Sequence, residues 1–455
     1  MKSPMIAALA TCALVLSACG AGGAAGQDEV NADGKVVLEV AMDAGLEQNA
    51  VDAFNERVAQ FEKAHPDVDV RPREYTWTAA TFTSQLAGGT IPDVFTVPFT
   101  DGRGLIERQQ IADVSALVAK LPYAKSFNAN VAKAGQATDG KQWAVPIAAY
   151  GQALHYNRTL FAQAGLDPDD PPSTWDEVRS AARQIAARTG QAGYAQMTTD
   201  NTGGWILATL DYARGGRLET VKGDRATATI DTPELADVLE QVRAMRWDDN
   251  SMGANFLYDW AGINQDFAAG RIGMYVSGGG NYGNLVTQNA LKPRDYGVTV
   301  LPLTGDRDAG VLGGGTLAVV SPKTGEKTRA AAVEWIDFFY LGKLTDRHAA
   351  VLNAKTQAES GQPVGTPDLP VLDRATYDAQ QKWIAEYVNV PVAQLKPYTS
   401  RMFDQPLVPE PARSTQDVYK LLDNVAQTVL TDQGADIPAL LADAQSQAQA
   451  LLDRG

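Results

Sequence analysis

The chain has 455 residues, 45% hydrophobic and 20% charged, with 39 basic and 54 acidic side chains and a formal net charge of −15. Single cores stop growing at roughly 250–300 residues, so two lobes are expected. The acidic balance, with no dense basic face, excludes nucleic acid as a partner.

The N-terminus reads as a processing signal. Lys2 precedes an apolar run from Met5 to Ala18. That run is about 14 residues, short of the ~20 a permanent membrane helix needs. It ends in Leu16-Ser17-Ala18-Cys19-Gly20, which resembles a bacterial lipobox. Residues 1–18 are therefore expected to be a lipoprotein signal peptide, with Cys19 acylated as the membrane anchor. Cys12, the other cysteine, would leave with the signal, so no disulfide and no cysteine-based metal or redox site is expected. The small and polar residues of 19–34 read as a flexible tether with a reach of roughly 20 Å.

Beyond the tether, β-like runs alternate with amphipathic helices. Val36 to Met42 reads as a strand, and Asn49 is placed to cap a helix carrying Val51, Phe54, Val58 and Phe61 at helical spacing. Val68 to Tyr75 alternates as a strand, Thr78 to Ala87 reads as a short helix, and Ile91 to Val97 as a strand. This order predicts an α/β sheet with crossover helices. Ala153 to Tyr156 is strand-like. Thr174 and Glu177 form a capping box for the next helix, and Thr232-Pro233 opens another. Phe267 to Gly270 closes a short helix before a strand from Ile272 to Val276, and Gly313-Gly314-Gly315 precedes a strand to Val320. After Leu344 the chain reads as mostly helical.

Pro146-Ile147-Ala148, Ala153-Leu154-His155-Tyr156-Asn157 and Leu160-Phe161 resemble the signature of family 1 extracellular solute-binding proteins of ABC importers, the group of maltose-binding protein. The Gly88 to Phe95 stretch, the Pro172 to Glu177 stretch and Phe267 to Met274 follow in the family's order. The usual Gly-x-Trp after Met274 is replaced by Ser277-Gly278-Gly279-Gly280-Asn281-Tyr282. The resemblance implies a two-lobed periplasmic-binding-protein type II fold, α/β in class, with an interlobe ligand cleft and hinge. The lobes are expected at 35–148 plus 303–345 and at 149–302 plus 346–455, the last piece a mostly helical tail.

A sugar offers apolar C–H faces to aromatic rings and hydroxyls to polar side chains. Ligand-binding candidates therefore sit at strand ends: Asp43 and Glu47 after the first strand, Trp77 after the second, and Asp101 after the third. Asp101 falls where the resemblance places a ligand-binding Asp. Tyr150 matches a ligand-contacting position between the lobes. Trp205 and Trp260 are candidates in the second lobe, each equally readable as core. Asn281 and Tyr282 stand where the Gly-x-Trp is missing. Gly314 fits a hinge, a close approach of backbone to ligand, or a tight strand entry.

The expected function is capture of a small polar solute, a mono- or oligosaccharide, outside the membrane. The partners are permease subunits of an ABC importer, the chain acting as a lipid-anchored monomer without cofactor or metal. The same scaffold could carry a polyol phosphate, a polyamine or iron. A lipid-anchored glycoside hydrolase would need two carboxylates about 5–9 Å apart across the cleft. No motif organises such a pair, and no catalytic residue is assigned.

Overall fold

The computed structural model describes residues 26–223 and 225–454. The expected signal peptide and Cys19 lie outside the described residues.

Among the described residues there are ten strands: β1 (Val36–Met42), β2 (Val68–Glu74), β3 (Val94–Pro98), β4 (Val145–Asn157), β5 (Glu219–Lys222), β6 (Arg225–Ala228), β7 (Met274–Gly278), β8 (Tyr296–Val300), β9 (Val311–Val320) and β10 (Leu407–Pro409). Eight are linked in the order β2-β1-β3-β9-β4-β7, with β10 on β9 and β8 on β4. The hairpin β5-β6 stands apart. β1 pairs parallel with β2 from Val36↔Val68 to Met42↔Glu74, as their crossover helix requires. β9 runs antiparallel to both β3 and β4.

Strand β4 belongs to both halves of the molecule. Its first part, Val145 to Gly151, pairs with β9 in the first half. From Gln152 onward it pairs with β7 and β8 in the second. The chain crosses between halves at Gly151-Gln152, again near the start of β9, and a third time in β10, where Leu407 to Pro409 pair with Val311 to Gly313.

The helices follow their sequence signals closely where a cap is chemical. Thr174 accepts from the Glu177 amide, and Glu177 reaches back to the Thr174 amide, completing the capping box of Trp175–Thr189. Gly190, at φ +72°, ends that helix in the left-handed conformation that a side chain would strain. Thr232 caps Pro233–Arg243. Asn49 does not cap the first long helix. That helix starts at Gln48, and Asn49 lies inside its first turn, its side chain turned back on the Ala50 amide.

Residues 26–34, expected within the tether, are folded onto the first half. Gln27 bridges Thr324, and the Asp28 carboxylate accepts from the Thr328 amide at 2.9 Å. Thr328 lies in the first turn of Glu326–Ile336, a helix whose own N-cap, Gly325, has no side chain to offer. Asp28 therefore caps that helix from across the fold, and its negative charge suits the helix N-terminus.

The expected second-lobe tail divides into three pieces. Residues 346–388 form a helical insert with a small core of its own: Ala350, Ala354, Val364 and Ile384. The insert is tied to the first half where Asn128 bonds to the carbonyl of Pro370 and its amide to that of Val371. Val392–Thr399 packs on β8 in the second half. The last two helices, Thr415–Thr431 and Ile437–Leu452, pack against Thr202–Tyr212 and β6, also in the second half.

Candidate functional site

The three crossings bring together residues far apart in sequence. Tyr150, on β4, lays its ring against Gly314, its register partner on β9. A Cβ at Gly314 would stand 2.7 Å from the Tyr150 hydroxyl, so only glycine leaves room for the ring. Trp205 meets Tyr150 edge to face, with ring centroids 6.4 Å apart. Glu410, the residue after β10, has its carboxylate beside the polar edges of both Trp205 and Tyr150. Burial raises the pKa of the Glu410 carboxyl, and these two neighbours work against it. Burial and the nearby Glu410 charge push the Tyr150 phenol up, so it stays a neutral donor.

Trp205 is held by its helix. The Thr202–Tyr212 N-terminus is closed by Asp423, which accepts from the amides of Asn201 at 2.7 Å and Gly204 at 2.9 Å. Its free donors are thus already spent on a carboxylate, and an anionic ligand would find that end occupied.

A cavity of about 320 Å³ opens beside this floor, between Ile147–Ala149 of β4 and the helical insert. Lys343, Thr366, Asp368, Tyr377 and the amides of Asn353, Gln357, Gln380 and Gln381 line it. Asp368 keeps solvent access yet is ringed by protein. The surrounding walls raise its carboxyl pKa, with a bond from Thr366 and the charge of Lys343 opposing. Lys343 is likewise accessible, and the same walls lower its pKa. Asp368 also reaches the second half: a Cβ on Gly280 would collide with its carboxylate, and one on Gly279 with the Tyr398 hydroxyl. The glycine run after β7 therefore makes room for two tail side chains.

The other candidates are scattered around this centre. Asp43 and Glu47 are exposed on the loop after β1, and Asp43 lies near Tyr340, whose phenol burial pushes up to about 12. Trp77 is half-buried against Phe82 at 6.1 Å, its indole N–H buried without a partner among the described residues. Asp101 is half-buried in the first turn of Phe99–Glu107, and burial raises its carboxyl pKa. Trp260 is 39% exposed at the start of its helix, whose N-cap is Asp259.

One expectation is corrected and a second narrowed. Tyr282 is 1% exposed and packs on Tyr296 with centroids 5.1 Å apart, so its ring belongs to the core of the second half. Asn281 spends its amide on Asn264 at 2.8 Å and on Tyr275 at 3.0 Å, inside the same half. The Tyr282 ring is closed to a solute, whereas Asn281 stays partly exposed with only its amide nitrogen spent. Among the described residues no group of three or more His, Cys, Asp or Glu could hold a metal ion, and no helix is long and apolar enough to cross a membrane.

The profile of the family described as bacterial extracellular solute-binding protein matches residues 56–351. The chain belongs to that family. Diacetylchitobiose binding protein DasA of Streptomyces coelicolor is 25% identical over 349 residues, covering 74% of this chain and 77% of DasA. The sugar-binding protein MalE of Xanthomonas citri superposes with a TM-score of 0.69 at 17% identity, covering 92% of this chain and 98% of that one. UgpB of Mycobacterium tuberculosis, solved with glycerophosphocholine, gives 0.65 at 18%, covering 92% and 98%. The fold of this solute-binding protein is thus the two-lobed type II arrangement, and the three crossings are its hinge.

Glu410, Asp368 and Tyr377 were not singled out from the sequence of this solute-binding protein. The only available signal was Leu407-Val408-Pro409, a three-residue strand containing proline, too short to distinguish from loop.

Proposed function

We propose that this chain is the capture component of an ABC importer, holding a mono- or oligosaccharide between its lobes and releasing it unchanged to permease subunits. The mature protein would be held at the outer face of the cell membrane, as a monomer, by acylated Cys19. The lobes would meet near 148/149 and 302/303, with the helical insert riding on the first. Tyr150, Trp205 and Gly314 would form the floor, with the Glu410 carboxylate beside the two rings. Trp77, Asp101, Asp43, Glu47 and Trp260 would approach from the two walls.

The observation that carries this reading is the Tyr150–Trp205–Glu410 cluster at the hinge. Two aromatic rings in edge-to-face contact, with a carboxylate beside them, offer apolar faces and hydrogen-bonding groups together, which is what a sugar ring demands. The relatives' names point the same way: one binds diacetylchitobiose and another is a sugar-binding protein. The UgpB likeness raises a phosphodiester as the other cargo. The Asp423 carboxylate at the Trp205 helix disfavours it, because that end offers an anion no free amides.

The test is a thermal-shift screen of the mature protein against mono- to tetrasaccharides. A ligand at 100 times its Kd should add about 2.7 kcal/mol to the unfolding free energy. No shift with any saccharide, or release of hydrolysed product, would sink this reading.

A further inference from the structure

We propose that the cavity beneath the helical insert is a subsite for one neutral polyhydroxylated ring, selected by the Lys343 ammonium and the Asp368 carboxylate, and that it discriminates against phosphorylated solutes. This rests on the sugar-capture reading above and adds which solutes the site accepts.

A sugar hydroxyl gives one hydrogen bond and accepts others. A wall that satisfies it must supply donors and acceptors side by side. Lys343 only donates, and ionised Asp368 only accepts. They influence each other's charge but form no direct ion pair among the described residues; Asp368 spends one oxygen on the Thr366 hydroxyl, which leaves the other oxygen and the Lys343 ammonium to a guest. The amides between them are half-engaged. Asn353 donates to Gln357 at 3.3 Å and Gln381 to Gln380 at 2.9 Å. Each pair leaves one amide nitrogen and one carbonyl oxygen unspent. The cavity of about 320 Å³ lies within the range of small-molecule sites, and Ile147 to Ala149 give it an apolar floor.

A phosphate needs a surplus of positive charge or open helix N-termini. Neither is offered. The single lysine faces Asp368. The two insert helices that line the cavity, Arg347–Glu359 and Arg374–Ile384, are each closed by an aspartate: Asp346 on the Ala349 amide and Asp373 on the Thr376 amide, both at 2.8 Å.

Asp368 also couples the subsite to closure. Its segment is anchored to the first lobe by Asn128, while its carboxylate fills the space above Gly280 of the second. A ring in the cavity would therefore touch a side chain placed by both lobes.

The experiment is calorimetric titration of the mature protein with maltose, N,N′-diacetylchitobiose, tagatose, glucose 1-phosphate and glycerophosphocholine. Parent, Lys343→Met and Asp368→Asn proteins are compared. Both side chains keep solvent access, so the variants should melt with the parent, and that match separates a lost contact from a lost fold. The parent should take a neutral sugar. Each variant should weaken it about tenfold or more, the usual loss for a hydrogen bond to a charged group. Asp368→Asn should narrow the gap between neutral and phosphorylated probes. A parent that binds sugar while both variants keep its Kd would overturn the subsite and leave sugar capture standing. A parent that prefers glucose 1-phosphate or glycerophosphocholine would overturn both.

Discussion

The hinge floor and the cavity beside it are made from opposite materials. The floor is closely packed: Tyr150 is pressed on Gly314, edge-on to Trp205, with the Glu410 carboxylate beside both rings. The cavity is polar and open to solvent. Its walls are long amides and two accessible, opposite charges contributed by the insert. The difference teaches a division of labour. On the proposed reading, the packed rings at the crossings would fix where a solute must lie for the lobes to shut. The polar groups on the insert would decide which solute satisfies them.

The comparison can be broken at the floor first. Gly314→Val should displace the Tyr150 ring, cost about 1–3 kcal/mol of stability by overpacking, and abolish measurable sugar binding by calorimetry. If Gly314→Val binds as the parent does, the floor is not rigid. Trp205→Ala should leave the fold intact and weaken sugar binding by roughly 10–100-fold, as expected for a central aromatic anchor. Trp205→Phe should recover part of that loss.

The next test separates a structural carboxylate from one that serves the floor. Asp211 lies at the far end of the Trp205 helix, fully buried, with neither oxygen partnered among the described residues. Burial raises its carboxyl to about 7, with Glu234 adding and Arg217 and Arg214 opposing. Its folded pKa is therefore above its unfolded value, and the folded state binds the extra proton. That contribution is whole at pH 4 and is lost as pH rises through about 7. Asp211→Asn should flatten the decline in stability between pH 5 and pH 8 by a few kcal/mol at most, read by urea unfolding at both values. Sugar affinity should not change. His155 has the opposite sign. Buried and held by Tyr296 and the Ser277 and Gly278 carbonyls, it titrates at about 4, so its contribution weakens as pH falls from 6.5 toward 4.

Smaller effects sharpen the picture. Glu410→Gln keeps a polar group beside Trp205 and Tyr150 but removes the charge, and should weaken sugar binding about fivefold. Thr174→Ala, in the capping box far from the hinge, should cost about 1 kcal/mol of stability and leave affinity alone.

What the sequence revealed divides along the same line. The β-α-β order, the Thr174–Glu177 capping box and the Thr232 cap were readable because each is a local pattern closed within a few residues. Tyr150 was readable through its neighbours on β4. Glu410 and Asp368 were not, because they meet Tyr150 and Gly280 across separations that no local pattern records. Tyr282 was misread because an aromatic ring after a glycine run suits a cleft and a core equally well, and Tyr296 decides the matter. Asp28 was missed because its helix cap lies 300 positions away.

The most direct measurement is small-angle X-ray scattering of the mature protein with and without a saturating sugar taken from the thermal screen. The account predicts that the radius of gyration shrinks on binding one equivalent, and that Trp205→Ala forfeits the shrinkage at the same sugar concentration. Stoichiometric binding with an unchanged radius would contradict it, because the guest would then be held by one lobe alone.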